Sequence, residues 1–116
     1  MEIQERTVGS VVVLDLNGKL AGGDGAGLLK DKVNSVVHQG RRQVLLNLAG
    51  ISYIDSSGLG EIVACYTTVT GKGGQIKLVN LTKRVQDLLA ITKLLTVFDT
   101  FDSEPQAVQS FKAKAS

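Results

Sequence analysis

The junction in the middle of the chain constrains the fold more than any other stretch. Gln43-Val44-Leu45-Leu46-Asn47-Leu48 is a nearly continuous apolar run of strand length, the pattern of a strand buried on both faces. After Ala49-Gly50-Ile51-Ser52-Tyr53-Ile54 comes Asp55-Ser56-Ser57-Gly58-Leu59-Gly60, and from there Leu59, Ile62, Val63, Tyr66 and Val69 recur at helical spacing. The hexapeptide is therefore a strand-to-helix connection. The first backbone N–H groups of a helix lack intrahelical partners, so a hydroxyl or carboxylate caps them there. A phosphate at the same place would sit against the positive end of the helix dipole. Gly58 and Gly60 add a second oddity, because glycine in a helix interior costs about 1 kcal/mol relative to alanine. Beside two serines they leave the first turn bare of bulk, open to close approach by another backbone or protein. Two readings stand on this chemistry: an ordinary helix cap, and a working surface.

The rest of the chain repeats the strand–helix theme. Ile3 to Val8 and Val11-Val12-Val13-Leu14-Asp15-Leu16 are two strands, and Gly9-Ser10 between them is a hairpin signal that predicts antiparallel pairing. Asn17-Gly18 marks a turn. Leu20 to Gly27, rich in glycine around Asp24, leads as a loop into a helix with Asp24 near its start. That helix places Leu29, Val33, Val36 and Val37 on one face and stops at Gly40. The central helix ends at Gly71-Lys72-Gly73-Gly74, and Gln75 to Asn80 alternates as a strand. Thr82 caps a third helix with Val85, Leu88 and Leu89 inward. Leu95-Thr96-Val97-Phe98 is expected to be a last short strand. Ser103-Glu104-Pro105-Gln106 has capping-box spacing for a terminal helix that turns Val108 and Phe111 inward, and the tail from about 112 is expected to fray. Strands alternating with helices of this length imply parallel pairing and right-handed crossovers. The expected fold is α/β: a mixed sheet of about five strands, opened by the hairpin, with three or four helices packed on it. With 116 residues and no linker or repeat, one domain spanning 1–116 is expected.

Composition removes several function classes. A net charge of +2 with basic residues in scattered pairs, Arg41-Arg42 and Lys83-Arg84, argues against direct nucleic-acid binding. No apolar run reaches membrane-spanning length, and Met1-Glu2-Ile3-Gln4-Glu5-Arg6 carries acids where a signal peptide needs a basic start. The single Cys65 forms no intrachain disulfide and suits a reducing compartment, so a cytoplasmic location is expected. One histidine and one cysteine, without an acidic cluster at ligand spacing, do not make a metal site. Neither the Gly22 nor the Gly71 cluster completes a phosphate-cradle motif, so no cofactor is expected. Ser56 or Ser57 as a hydrolytic nucleophile would lack the Gly-x-Ser-x-Gly elbow, and its base would have to be His38, on the polar side of its helix. The chain is expected not to be an enzyme.

The decapeptide Ile51-Ser52-Tyr53-Ile54-Asp55-Ser56-Ser57-Gly58-Leu59-Gly60 closely resembles the signature of the STAS domain of bacterial anti-sigma factor antagonists. Asn47-Leu48 before it, and Gly73-Gly74, Ile76-Lys77-Leu78 and Leu89-Ala90-Ile91-Thr92-Lys93-Leu94 after it, agree. The resemblance runs from the hairpin to the last helix and implies a mixed five-stranded sheet. It also implies partner switching, and so regulation of transcription. The unphosphorylated protein binds an anti-sigma factor that is itself a serine protein kinase, phosphorylation of the serine after the Asp breaks the complex, and a serine phosphatase resets it. That serine is Ser56, with Asp55, Ser57, Gly58, Leu59, Gly60 and Asp24 as the implied partner-binding set. The chain departs from the family after the second strand. Gly18-Lys19-Leu20-Ala21-Gly22-Gly23-Asp24 has Lys19 where the family usually has an acidic residue and Ala21 where it has an Asp, and Asp24 is either a displaced carboxylate or a plain helix cap. The alternative carried beside partner switching is a non-switching STAS scaffold for a signalling or transport complex. A serine hydrolase ranks last.

Overall fold

The computed structural model describes residues 1–23 and 26–115, with side chains through Lys112. Strands β1 (Glu2–Val8) and β2 (Val11–Leu20) form the N-terminal hairpin. Helix α1 (Leu28–His38), strand β3 (Gln43–Ile54), helix α2 (Ser56–Gly71) and strand β4 (Gln75–Val79) come next. Helix α3 (Lys83–Ile91), the two-residue β5 (Thr100–Phe101) and helix α4 (Glu104–Ala115) complete the chain. The sheet order is β1-β2-β3-β4-β5, with β1 antiparallel to β2 and every later pair parallel. This is the expected mixed five-stranded sheet, with four helices where three or four are expected.

Strand alternation divides the core in two. Val12, Leu14, Leu16, Val44, Leu46, Leu48, Ile76 and Leu78 pack with the apolar sides of α1, α2 and α3. Val11, Val13, Leu45 and Val79 face the other way, under Ala107, Val108 and Phe111 of α4. Lys77 belongs to this second face and is 2% exposed. Its Nζ donates to Ser110 Oγ at 2.8 Å and lies 4.7 Å from the centre of the Phe111 ring, which ties α4 to the middle of the sheet. Two caps form as the spacing predicts: Thr82 Oγ1 accepts from Val85 N at 3.3 Å, and Ser103 Oγ accepts from Gln106 N at 3.3 Å.

Three expectations are corrected. Asn17-Gly18 is not a turn; β2 runs through it to Leu20, and β3 runs through Ala49-Gly50 to Ile54. Asn17 lies opposite Gly50, at an irregularity in the parallel register. A side chain on Gly50 would collide with Leu16 O and the Asn17 amide, so glycine here permits close strand approach rather than a reversal. The third correction concerns Leu95 to Phe98, which forms turns rather than a strand. The amides of Val97 and Phe98 both donate to Leu94 O, and the Phe98 ring packs edge-on against Tyr66 with centroids 5.2 Å apart. The strand forms later, at Thr100–Phe101, where it meets Leu78 and Val79.

Candidate functional site

The two central parallel strands, β2 and β3, end beside each other, Leu20 paired with Ile54. The segments that leave these two strand ends form the site. Asp55 is the N-cap of α2: it is extended, and its Oδ1 accepts from Gly58 N at 2.9 Å. Leu59 N donates to Asp55 O at 2.9 Å, the first turn of the helix ladder. Ser56 and Ser57 thus occupy the first two helical positions, outside both bonds, and both are exposed. The cap is a carboxylate, which leaves the two hydroxyls uncommitted to the helix end.

The twin glycines differ. Gly58 is buried, and a Cβ there would run into the carbonyl of Leu20, so its bareness serves contact between α2 and the end of β2. Leu59 is buried beside it, 5% exposed. Gly60 faces open space, with no atom within 4 Å of the place a Cβ would take. The surface at this turn therefore consists of Ser56, Ser57 and Gly60, with Gly58 and Leu59 turned inward beneath it. Gly22 of the β2–α1 loop lies over Ser57, close enough that a Cβ on it would stand 3.2 Å from Ser57 Oγ. Asp24, named with this set, lies outside the described residues.

Glu61 is a site residue that the sequence reading missed. Helix α1 begins at Gly27 in a left-handed conformation with no cap from its own side chains. Glu61 of α2 supplies one instead: Oε1 accepts from Gly27 N at 3.2 Å and Oε2 from Lys30 N at 2.8 Å. A carboxylate at a helix N-terminus satisfies orphan N–H groups and complements the dipole. The available signal was the lack of Ser, Thr, Asp or Asn directly before Leu28. Near Glu61 on the inner side of α2, Cys65 is fully buried, and burial, followed by the Glu61 charge, pushes its thiol up to about 12.

A second polar cluster lies on the α4 side of the sheet. Arg6 Nε and Nη2 bind the two oxygens of Asp15 at 2.6 and 3.0 Å, and Arg6 also holds Glu104 of α4 at 2.6 Å. The Arg6 bonds hold Asp15 below the usual carboxylate range, with help from Asn47 Nδ2 at 2.8 Å. They also raise the Arg6 guanidinium further above neutrality. Asn47 thereby joins β2 to the end of β4, since its Oδ1 accepts from Asn80 Nδ2 at 3.2 Å. His38 stands elsewhere, at the far end of α1, in a cleft shared with Thr68 and Lys72 near the end of α2. The helical rise puts that cleft roughly 20 Å from Ser56, so no histidine reaches either serine. Among the described residues no three His, Cys, Asp or Glu side chains gather as a metal site requires, and no helix is long and apolar enough to cross a membrane.

A buried parallel strand ending in an Asp-capped helix, under a mixed sheet opened by a hairpin, defines a STAS domain, and the STAS domain family model matches residues 2–107. The chain belongs to that family. The anti-sigma-B factor antagonist of Bacillus subtilis is 34% identical over 84 residues, covering 72% of this chain and 76% of that protein. A Thermotoga maritima protein, solved as a candidate anti-sigma factor antagonist, superposes with a TM-score of 0.87 at 27% identity, covering 95% of this chain and 94% of that one. The Bacillus cell fate determinant SpoIIAA, solved in its phosphorylated form, shares the fold with a TM-score of 0.74 at 21% identity, covering 94% and 98%.

Proposed function

We propose that this protein is an anti-sigma factor antagonist that works by partner switching. With Ser56 unmodified it binds an anti-sigma factor that is also a serine kinase; phosphorylation of Ser56 ends the complex, and a serine phosphatase restores it. Asp55, Ser57 and Gly60 surround the docking point, and Gly58 and Leu59 support it from below. The observation that carries this reading is the exposed Ser56 hydroxyl at the first position of α2, next to a cap that does not consume it. The names of the relatives, anti-sigma factor antagonists, support the partner class.

Phosphorylation adds about −1.5 to −2 charges at neutral pH. At the start of α2 the dipole and the Ser56 and Ser57 amides accommodate that charge, so the fold persists. Against a partner surface the same group is unmatched. Its burial costs about 2–5 kcal/mol, which weakens binding by tens- to thousands-fold. The switch thus acts by blocking the docking surface rather than by rearranging the domain. The test is Ser56→Asp, measured by circular dichroism and by titration against the purified anti-sigma factor of the same host. Retained helix content with lost binding supports the proposal. Wild-type affinity in a folded Ser56→Asp protein contradicts it and favours the non-switching scaffold.

A further inference from the structure

β2 and β3 extend together past the end of β4, and Lys19 pairs with Tyr53 there. Paired residues of parallel strands point to the same face about 4.8 Å apart, so the Lys19 and Tyr53 side chains are neighbours. Both are exposed, Tyr53 at 36%. From α3, the Arg84 guanidinium lies 4.7 Å from the centre of the Tyr53 ring. Between Tyr53 and Ser56 stand Ile54, whose side chain turns into the core, and the half-buried Asp55. The patch therefore lies at the end of β3, three residues before Ser56.

Three carboxylates of the neighbouring elements are held by partners of their own. Asp55 accepts from Gly58 N, and both oxygens of Glu61 are held by the α1 N-terminus. Asp87 pairs with Lys83 at 3.5 Å on the exposed side of α3. Among the described residues, neither Lys19 nor Arg84 has an ion-pair partner. Lys19 and Arg84 thus place two exposed positive charges around the Tyr53 ring. Tyr and Arg are, with Trp, the side chains enriched where protein interfaces concentrate their binding energy.

We infer that Lys19, Tyr53 and Arg84 form a second docking element that selects a partner whose contacting surface is acidic. The inference rests on the proposed role of Ser56 and adds the chemistry of the surface that meets it. It also gives the switch a second effect: a phosphoryl group on Ser56 repels the partner's carboxylates and competes with them for Lys19 and Arg84.

The test compares wild type, Lys19→Glu/Arg84→Glu and a control pair with the same charge change, Lys72→Glu/Lys112→Glu, in titrations against the purified host anti-sigma factor at low and high salt. Complementary charge across an interface weakens with ionic strength. The expected result is binding weaker by about tenfold or more for the patch variant at low salt, with a flattened salt dependence and an unaltered control. Should the double variant lose its circular dichroism signal, Arg84→Gln serves, with a smaller loss in the same direction. Unchanged or tighter binding by a folded patch variant overturns the inference and leaves the role of Ser56 standing. Wild-type protein that binds no host anti-sigma factor removes both. Retention of a DNA duplex that the patch variant abolishes reassigns the patch to nucleic acid and overturns the inference as well.

Discussion

Gly58 lies against the main-chain carbonyl of Leu20, with no room for a side chain between helix α2 and the end of strand β2. This contact fixes the height of the Ser56 turn relative to the loop after β2. The Asp55 amide reinforces it by donating to the same Leu20 oxygen at 3.4 Å.

The two glycines of the signature are therefore expected to respond in opposite directions. Gly58→Ala forces one backbone away from another and should cost about 3 kcal/mol. Gly60→Ala fills open space in a helix and should stabilise by about 0.5–1 kcal/mol. Urea denaturation of both variants checks the pair, and equal effects would contradict the inward placement of Gly58.

Glu61→Ala removes the side chain that caps α1. The expected loss is about 1–2 kcal/mol, with faster amide hydrogen exchange at Gly27 and Lys30 and little change in α3 or α4. Exchange that accelerates evenly through the domain would mean the carboxylate is not a local latch.

Much of this was legible in the sequence, and the misses share a cause. Leu29, Val33, Val36 and Val37 were readable as a buried face because helical period depends only on local spacing. Asp55 to Gly60 was readable as a helix start for the same reason. Asn17-Gly18 misled because it is a turn signal locally, while opposite Gly50 it forms a strand irregularity. Leu95 to Phe98 has strand composition, yet Phe98 is held by Tyr66, a residue of α2 far away in sequence. The missing cap before Leu28 was legible, but not that Glu61 supplies it, because its partners belong to another helix. Pattern shows which residues face inward; it does not show which distant backbone they meet.

The Arg6–Asp15–Glu104 cluster makes a pH-dependent prediction. The Arg6 bonds depress the carboxyl of Asp15 in the folded state. The stability it adds is therefore fully present above the unfolded carboxyl value of about 3.9, and it is lost as pH falls from there toward the folded value. The urea midpoint should drop below about pH 4. In Asp15→Asn the drop should be shallower, from a starting stability lower by about 1 kcal/mol. Parallel pH profiles for the two proteins would contradict this role for Asp15.

Cys65 should be inert in the folded protein. Burial raises its thiol to about 12, so the thiolate that reacts is scarce at about pH 8. Labelling by a disulfide reagent at that pH should be slower by about a hundredfold or more than in urea. Comparable rates in the two conditions would show that α2 opens readily.

In the proposed switch the Ser56 hydroxyl is the group on which a kinase acts and from which a partner takes its cue. Intact-mass analysis of protein purified from its own host, followed by peptide mapping, decides whether it is. Two species differing by one phosphoryl group are expected, with that group on Ser56. A modified species whose phosphoryl group maps to any other residue, or protein that is unmodified under every growth condition, would contradict it.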